Sequence, residues 1–325
     1  MQDRAMNVPV IDISDLRGDS KTLAELDAAC REWGFFQVVE HGIDASLIAR
    51  VHEKMVAFFA LPRAEKAQIL RTRSNVWGYY DKELTKNTRD WKEIFDVGPA
   101  EAEGPVAGAV PQWPAAPPGF EATMTEYMAA CRRVSNRLLA ALATNLGVPG
   151  IDLQKAFGAD DSSFLRLNYY PLCASPAPAD ASMASPDGHL GINEHTDAGA
   201  LTVLIQNEQP GLQVFRDGEW RLVQPRADAL VINIGDIVQV WSNDRYRAPL
   251  HRVLANSERE RYSAAFFFNP SYETDYAPLP PLCAGDSPAL YRQINWGEFR
   301  AGRAAGDYAD YGHEVQISDF RRADV

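Results

Sequence analysis

Cysteine is sparse in this 325-residue chain: Cys30, Cys131, Cys173 and Cys283 lie far apart and form no Cys-x-x-Cys pair. Neither a zinc site nor a disulfide framework is signalled, and buried free thiols are the expectation. Long apolar runs are missing too. No stretch approaches the roughly 18 uninterrupted apolar residues of a membrane helix, and Met1 to Val10 has neither a signal-peptide centre nor an Arg-rich amphipathic look. A cytosolic protein is the default expectation. Positive charge is in deficit, with 32 Lys and Arg against 44 Asp and Glu, a formal charge of −12, and the cations are scattered. That argues against a dedicated nucleic-acid binder, because phosphate contacts need clustered cations. There is no internal repeat. With 46% hydrophobic and 23% charged residues the chain is neither disordered nor fibrous, and its length suffices for a sizeable core in one large domain or two packed lobes.

The first half reads mainly as helical and the second mainly as strands. Val8 to Ile13 is a short strand candidate, followed by a helix over about Lys21–Glu32, where Leu23, Leu26 and Cys30 recur at helical spacing. Trp33 to Val39 looks like a buried strand. Helices are expected over Ala45–Phe59, stopped by Leu61-Pro62, and over Glu121–Leu146, closed by Gly147-Val148-Pro149-Gly150. Pro105 to Pro118 is a proline-rich loop that could border two lobes. From Phe164 the period becomes that of strands, with candidates at Phe164–Tyr170, Ala200–Gln206, Gln213–Phe215, Trp220–Val223, Leu230–Ile234, Ile237–Trp241, His251–Leu254 and Tyr262–Asn269. Short strands with no helices between them point to an antiparallel barrel or jelly roll, and Asp217-Gly218 marks a hairpin. One more helix is expected near Leu290–Arg303, then a polar, frayed tail from Tyr308 to Val325.

Glu194-His195-Thr196-Asp197 sets an imidazole and a carboxylate two residues apart, so in extended backbone both point to one side, ~6.5 Å apart. His251, which opens an apolar strand, is the best third ligand. Two histidines and one carboxylate on one face of a metal leave adjacent positions open, the arrangement of Fe(II) oxygenases. A His-x-Asp alone is weak evidence and is more often a histidine hydrogen-bonded to a strand neighbour. Arg261-Tyr262-Ser263 adds weight, since a guanidinium and a hydroxyl on one strand face suit a carboxylate, although an arginine alone is usually a surface ion pair.

His195-Thr196-Asp197, His251 and Arg261-Tyr262-Ser263, with Asn168-Tyr169-Tyr170-Pro171 and Trp33-Gly34-Phe35-Phe36, resemble the isopenicillin N synthase-like branch of the 2-oxoglutarate/Fe(II) dioxygenases, from about Val8 to Phe299. The resemblance implies a mainly β fold with α: a distorted double-stranded β-helix, or jelly-roll, core over 159–275. Residues 1–118 would form an N-terminal helical and strand region, 119–158 a long supporting helix, and 276–325 a C-terminal helix and tail. It further implies that His195, Asp197 and His251 ligate Fe(II), and that Arg261, Ser263 and Tyr170 bind the distal carboxylate of 2-oxoglutarate beside Asn168. Phe267 falls where relatives stack an aromatic ring on substrate, with core packing as the alternative. Trp77-Gly78-Tyr79-Tyr80, followed by Lys82, Lys86 and Arg89, occupies a segment that borders the substrate pocket in relatives; a solvated loop is the alternative. The implied activity is oxidation of a small organic molecule with O2, by hydroxylation, desaturation or ring closure, coupled to decarboxylation of 2-oxoglutarate to succinate and CO2. Two rivals stand beside it: a 2-oxoglutarate-independent oxidase of the isopenicillin N synthase or aminocyclopropane-carboxylate oxidase type, and a non-catalytic jelly-roll binder of small ligands. His189 is a weaker competitor for the metal. His41 is expected to be structural, and His52 and His313 solvated.

Overall fold

The computed structural model of the chain describes residues 7–16, 20–100, 108–149, 153–158, 160–181, 188–284, 287–305 and 314–323. The chain begins with β1 (Val10–Asp12), α1 (Ser20–Glu32), β2 (Phe35–Val39) and α2 (Ala45–Phe59). Asp44 starts α2 by accepting the Ser46 N–H, satisfying one of the donors that a helix start leaves free. A turn of helix, α3 (Arg63–Lys66), leads to β3 (Gly78–Tyr80), the hairpin β4 (Leu84–Thr85) and β5 (Thr88–Arg89), and β6 (Glu93–Val97). The first half is therefore less helical than its sequence suggests. These strands are short and carry charges, so the period-2 signal is weak in them.

The long helix α4 (Phe120–Asn145) buries a stripe that includes Met124, Tyr127, Cys131, Leu138 and Leu142. Each leucine so covered contributes about 1.5–3 kcal/mol. Then come β7 (Phe164–Tyr170), β8 (Leu190–His195), β9 (Leu201–Gln206), β10 (Leu212–Arg216), β11 (Glu219–Leu222) and β12 (Leu230–Ile234). Asp217 and Gly218, both at positive φ, turn the chain between β10 and β11. A six-residue helix, α5 (Asp236–Trp241), stands where a strand was expected. An apolar run that short fits either period, and here the turn after β8 accepts hydrogen bonds from the first helical amides. After β13 (His251–Leu254) and β14 (Arg261–Phe268), the small pair β15 (Asp275–Tyr276) and β16 (Ile294–Asn295) precedes α6 (Trp296–Ala305). The last helix starts six residues later than expected, because Asn295 caps it by accepting the Glu298 N–H. The described part of the tail is not frayed: Ile317 is buried, Phe320 packs edge-on against Phe299 at 5.6 Å, and Arg321 pairs with Asp244. His313 and part of the proline-rich loop lie outside the described residues.

Among the described residues one sheet has eight strands, in the order β1-β2-β12-β9-β14-β7-β6-β3, and a smaller one runs β11-β10-β13-β8. Strands from the first hundred residues thus complete the large sheet at both edges. Alternation along β14 sorts its faces: Tyr262, Ala264, Phe266 and Phe268 join the core that contains α2 and α4, while Arg261, Ser263, Ala265 and Phe267 line a chamber. Tyr170, Phe35 and Val231 of the large sheet pack with Val214 and Val253 of the small one, so the chamber lies between two apposed sheets, a jelly roll under a helical layer. Cys30, Cys131 and Cys173 are buried free thiols, and no described helix is long and apolar enough to cross a membrane.

Candidate metal centre and co-substrate pocket

The pairing of β13 with β8 sets His251 directly opposite His195. Each imidazole has Nδ1 against a backbone carbonyl, that of Asn193 at 2.8 Å and that of Pro249 at 3.1 Å. A carbonyl can only accept, so Nδ1 carries the proton and the Nε2 lone pair of each ring is left for a metal. Asp197 follows β8 in a turn. Its Oδ2 accepts from Thr202 Oγ1 and, at 2.7 Å, from Asn233 Nδ2, while Oδ1 lies 3.6 Å from both Nε2 atoms. Burial and the neighbouring His251 push His195 down to about 3, so it is neutral at any working pH. Burial alone would raise Asp197, but the two histidines and its two hydrogen-bond donors outweigh burial and hold it below the ordinary range. Two imidazoles with Nδ1 held on backbone carbonyls and one carboxylate, gathered within ligand reach of one another, suit Fe(II).

The ligand turn is fixed by its carbonyls. Thr196 O accepts from Arg303 Nη2 at 2.8 Å, Asp197 O from the Asp236 amide at 2.8 Å, and Gly199 O from the Ile237 amide at 3.1 Å. The start of α5 therefore sits directly on the turn that carries Asp197. Gly235 makes this approach feasible, since a Cβ there would meet Gly199 O at 2.2 Å and Asp197 O at 2.8 Å.

Between β14 and β7 the register pairs Arg261 with Tyr170 and Ser263 with Asn168, gathering four side chains into one patch. Arg261 is only 1% exposed. Its Nη2 donates to Gln206 Oε1 at 2.8 Å and its guanidinium stands over the Tyr170 ring at 4.8 Å, but Nε and Nη1 have no partner among the described residues. Asn168 donates to Ser263 Oγ at 3.4 Å and leaves its Oδ1 free. Burying a cation with unmet donors is costly, and a carboxylate accepting from those donors would offset that cost. The patch fits an acidic co-substrate.

Farther along the same two strands, Phe164 and Phe267 stack at 4.7 Å and line the chamber. Trp77 and Tyr79 do not line it. Tyr79 lies on β3, the far edge of the large sheet, and Trp77 just before it; Trp77 packs 5.6 Å from Phe164 with its Nε1 on Pro99 O, and Tyr79 is buried in the helix-side core with its hydroxyl on Glu93. Lys82 and Arg89 are exposed, and the Lys86 amide donates to Glu314. Sequence reasoning missed a buried ion cluster at the chamber wall: Lys92 with Glu83 (2.6 Å) and Asp90 (3.1 Å), and Arg71 and Arg166 with Glu83 and Asp96. Charges spread over loops and two separate strands give no local signal of that clustering. Of the other histidines, His41 accepts the Ile43 amide, His52 is half-buried on α2, and His189 packs on Trp91 away from the metal trio.

The family model of the 2OG-Fe(II) oxygenase superfamily matches residues 162–270, and that of the non-haem dioxygenase in morphine synthesis N-terminal region matches residues 8–116. Flavanone 3-dioxygenase 2 of Oryza sativa subsp. japonica is 37% identical over 90% of this chain and 82% of its own length. A 1-aminocyclopropane-1-carboxylate oxidase of Musa acuminata is 35% identical over 90% and 93%. The crystal structure of JOX2 in complex with 2OG, Fe and JA superposes with a TM-score of 0.81 at 31% identity, covering 96% of this chain and 88% of that one.

Proposed function

The chain belongs to the 2OG-Fe(II) oxygenase superfamily, and on that premise we propose that it oxidises a small organic molecule, by hydroxylation in the first instance, while 2-oxoglutarate is decarboxylated to succinate and CO2. The observation that carries the reading is the buried Arg261 with two unmet donors beside Ser263, Tyr170 and Asn168. His195, Asp197 and His251 would hold Fe(II), and Arg261 with Ser263 and Tyr170 would hold the distal carboxylate of 2-oxoglutarate. Bound iron and co-substrate supply the redox chemistry. The protein's part is positional. Asn193 and Pro249 carbonyls keep both imidazoles in the ligating tautomer, Thr202 and Asn233 aim Asp197, and the apolar wall of Phe164, Phe267, Leu204 and Val253 keeps water from the reacting carbon. In this reading residues 159–275 are the catalytic core, covered by 1–118 with the helix of 119–158 and by 276–325.

A 2-oxoglutarate-independent oxidase is the second reading, favoured by the likeness to the Musa relative. Release of label from 2-[1-14C]oxoglutarate during substrate oxidation decides between them. Oxidation without labelled CO2 would replace the first reading with the second. The third, a non-catalytic binder, gains no support from relatives that are oxygenases.

A further inference from the structure

Besides Arg261, four cations line the chamber: Lys92, Arg166, Arg300 and Arg303. Three of them are already matched. Lys92 and Arg166 belong to the ion cluster described above, and Arg303 pairs with Glu314 at 3.4 Å while donating to the carbonyls of Val315 and Thr196. Arg300 differs. Among the described residues no carboxylate lies within ion-pair distance of it, and its guanidinium stands 5.8 Å over the Phe164 ring. It reaches the chamber because Trp296, Arg300 and Arg303 recur at positions i, i+4 and i+7 of α6, which places them on one helix face.

The strand register tells which end of the chamber this is. Arg261 pairs with Tyr170, and six residues along β14 Phe267 pairs with Phe164, the ring beneath Arg300. At ~3.4 Å per residue the backbone positions of Arg261 and Phe267 lie about 20 Å apart along β14, so the two arginines reach the chamber from opposite ends of that strand. One small dicarboxylate at Arg261 therefore leaves Arg300 untouched. The stacked Phe164–Phe267 pair provides an apolar surface adjoining a cation that is matched by no carboxylate among the described residues.

We infer that Arg300 receives the carboxylate of the molecule to be oxidised, and that Phe164 and Phe267 hold its apolar body. The substrate class is then a small monocarboxylic acid with a ring or branched hydrocarbon portion. One guanidinium fork matches one carboxylate, whereas a phosphate dianion would need a second free cation that the described chamber does not offer. This inference rests on the oxidation proposed above, because it assigns the substrate of that same site.

Calorimetric titration of the anaerobic Fe(II)- and 2-oxoglutarate-loaded enzyme tests it with two acids, 3-phenylpropanoate and cyclohexylacetate, each against its neutral amide. The acids are expected to bind about tenfold more tightly than the amides. Arg300→Gln should bring each pair to within about twofold, and Arg300→Lys, which keeps the charge but not the fork, should retain part of the preference. Affinity for 2-oxoglutarate should stay the same in both variants, which also reports that they are folded; if Arg300→Gln does not fold, Arg300→Lys carries the comparison. Amides binding as tightly as acids, no binding by either acid, or a preference that survives Arg300→Gln would overturn the assignment. Absence of both product and labelled CO2 would instead strike at the proposed oxidation, and absence of the label alone at its coupling to 2-oxoglutarate, so the two can fail separately.

Discussion

Arg261 is completely covered by protein and only partly satisfied by it, a state that favours whichever carboxylate can enter beside it. Removing the guanidinium in Arg261→Ala should weaken 2-oxoglutarate binding on the order of 10- to 100-fold, read by titrating the visible charge-transfer band of the Fe(II) complex. Asp197→Ala should abolish Fe(II) binding outright. A subtler change, Asn233→Leu, takes one donor from Asp197 Oδ2 and should lower iron affinity about 10- to 100-fold, measured by competition with a chelator. These residues differ in how far sequence reveals them. His195 with Asp197, and Arg261 with Ser263, are legible because each pair lies two positions apart in extended chain. Thr202, Asn233 and Gln206 are not, because a polar residue on an apolar strand carries no mark of the partner that another strand brings to it.

At the level of elements, β7, β9, β12 and β13 could be read closely from their apolar alternation or continuity, and α2 from its amphipathic stripe and the Leu61-Pro62 that stops it. The reading broke at Ile237–Trp241, where β-branched residues imply a strand and the chain forms α5 instead. What decides is tertiary: the carbonyls of Asp197 and Gly199 accept the amides of Asp236 and Ile237. Such a contact joins segments about forty residues apart, beyond the reach of any local pattern. Gly235 is the residue through which element and site meet. Gly235→Ala should destabilise the protein by roughly 1–3 kcal/mol, since the added methyl meets backbone that cannot rotate away, and it should also impair iron binding by displacing Asp197. Thermal unfolding with and without metal checks both effects; an unchanged midpoint would mean that α5 does not brace the turn.

Across the whole molecule, the cluster of Glu83, Asp90, Asp96, Arg71, Lys92 and Arg166 ties the N-terminal strands to β7 without net charge. Burial alone would raise Glu83, but Arg166, Lys92 and Arg71 outweigh burial and hold it well below the usual carboxylate range. Its folded pKa is thus below its unfolded value of about 4.3, so its contribution is complete above that pH and is lost as the pH falls further. Asp90, raised by burial, works in the opposite direction and offsets part of this. Glu83→Gln should cost about 3–5 kcal/mol at pH 7 and make urea stability less sensitive to acidification from about pH 5 to 3. Iron and 2-oxoglutarate, binding only the folded chain, should each stabilise it by about 2.7 kcal/mol at a hundred times its dissociation constant. Finally, because Arg261 and Phe267 share one strand, the distance between the buried guanidinium, the co-substrate anchor of the proposed reading, and the aromatic wall cannot be adjusted gradually: moving a side chain along that face means a step of two residues, roughly 7 Å. Lineages that change the size of what they oxidise would find that adjustment in α6, which is not tied to the two-residue repeat of β14, so new specificities should arise from the C-terminal helix while β14 stays as it is.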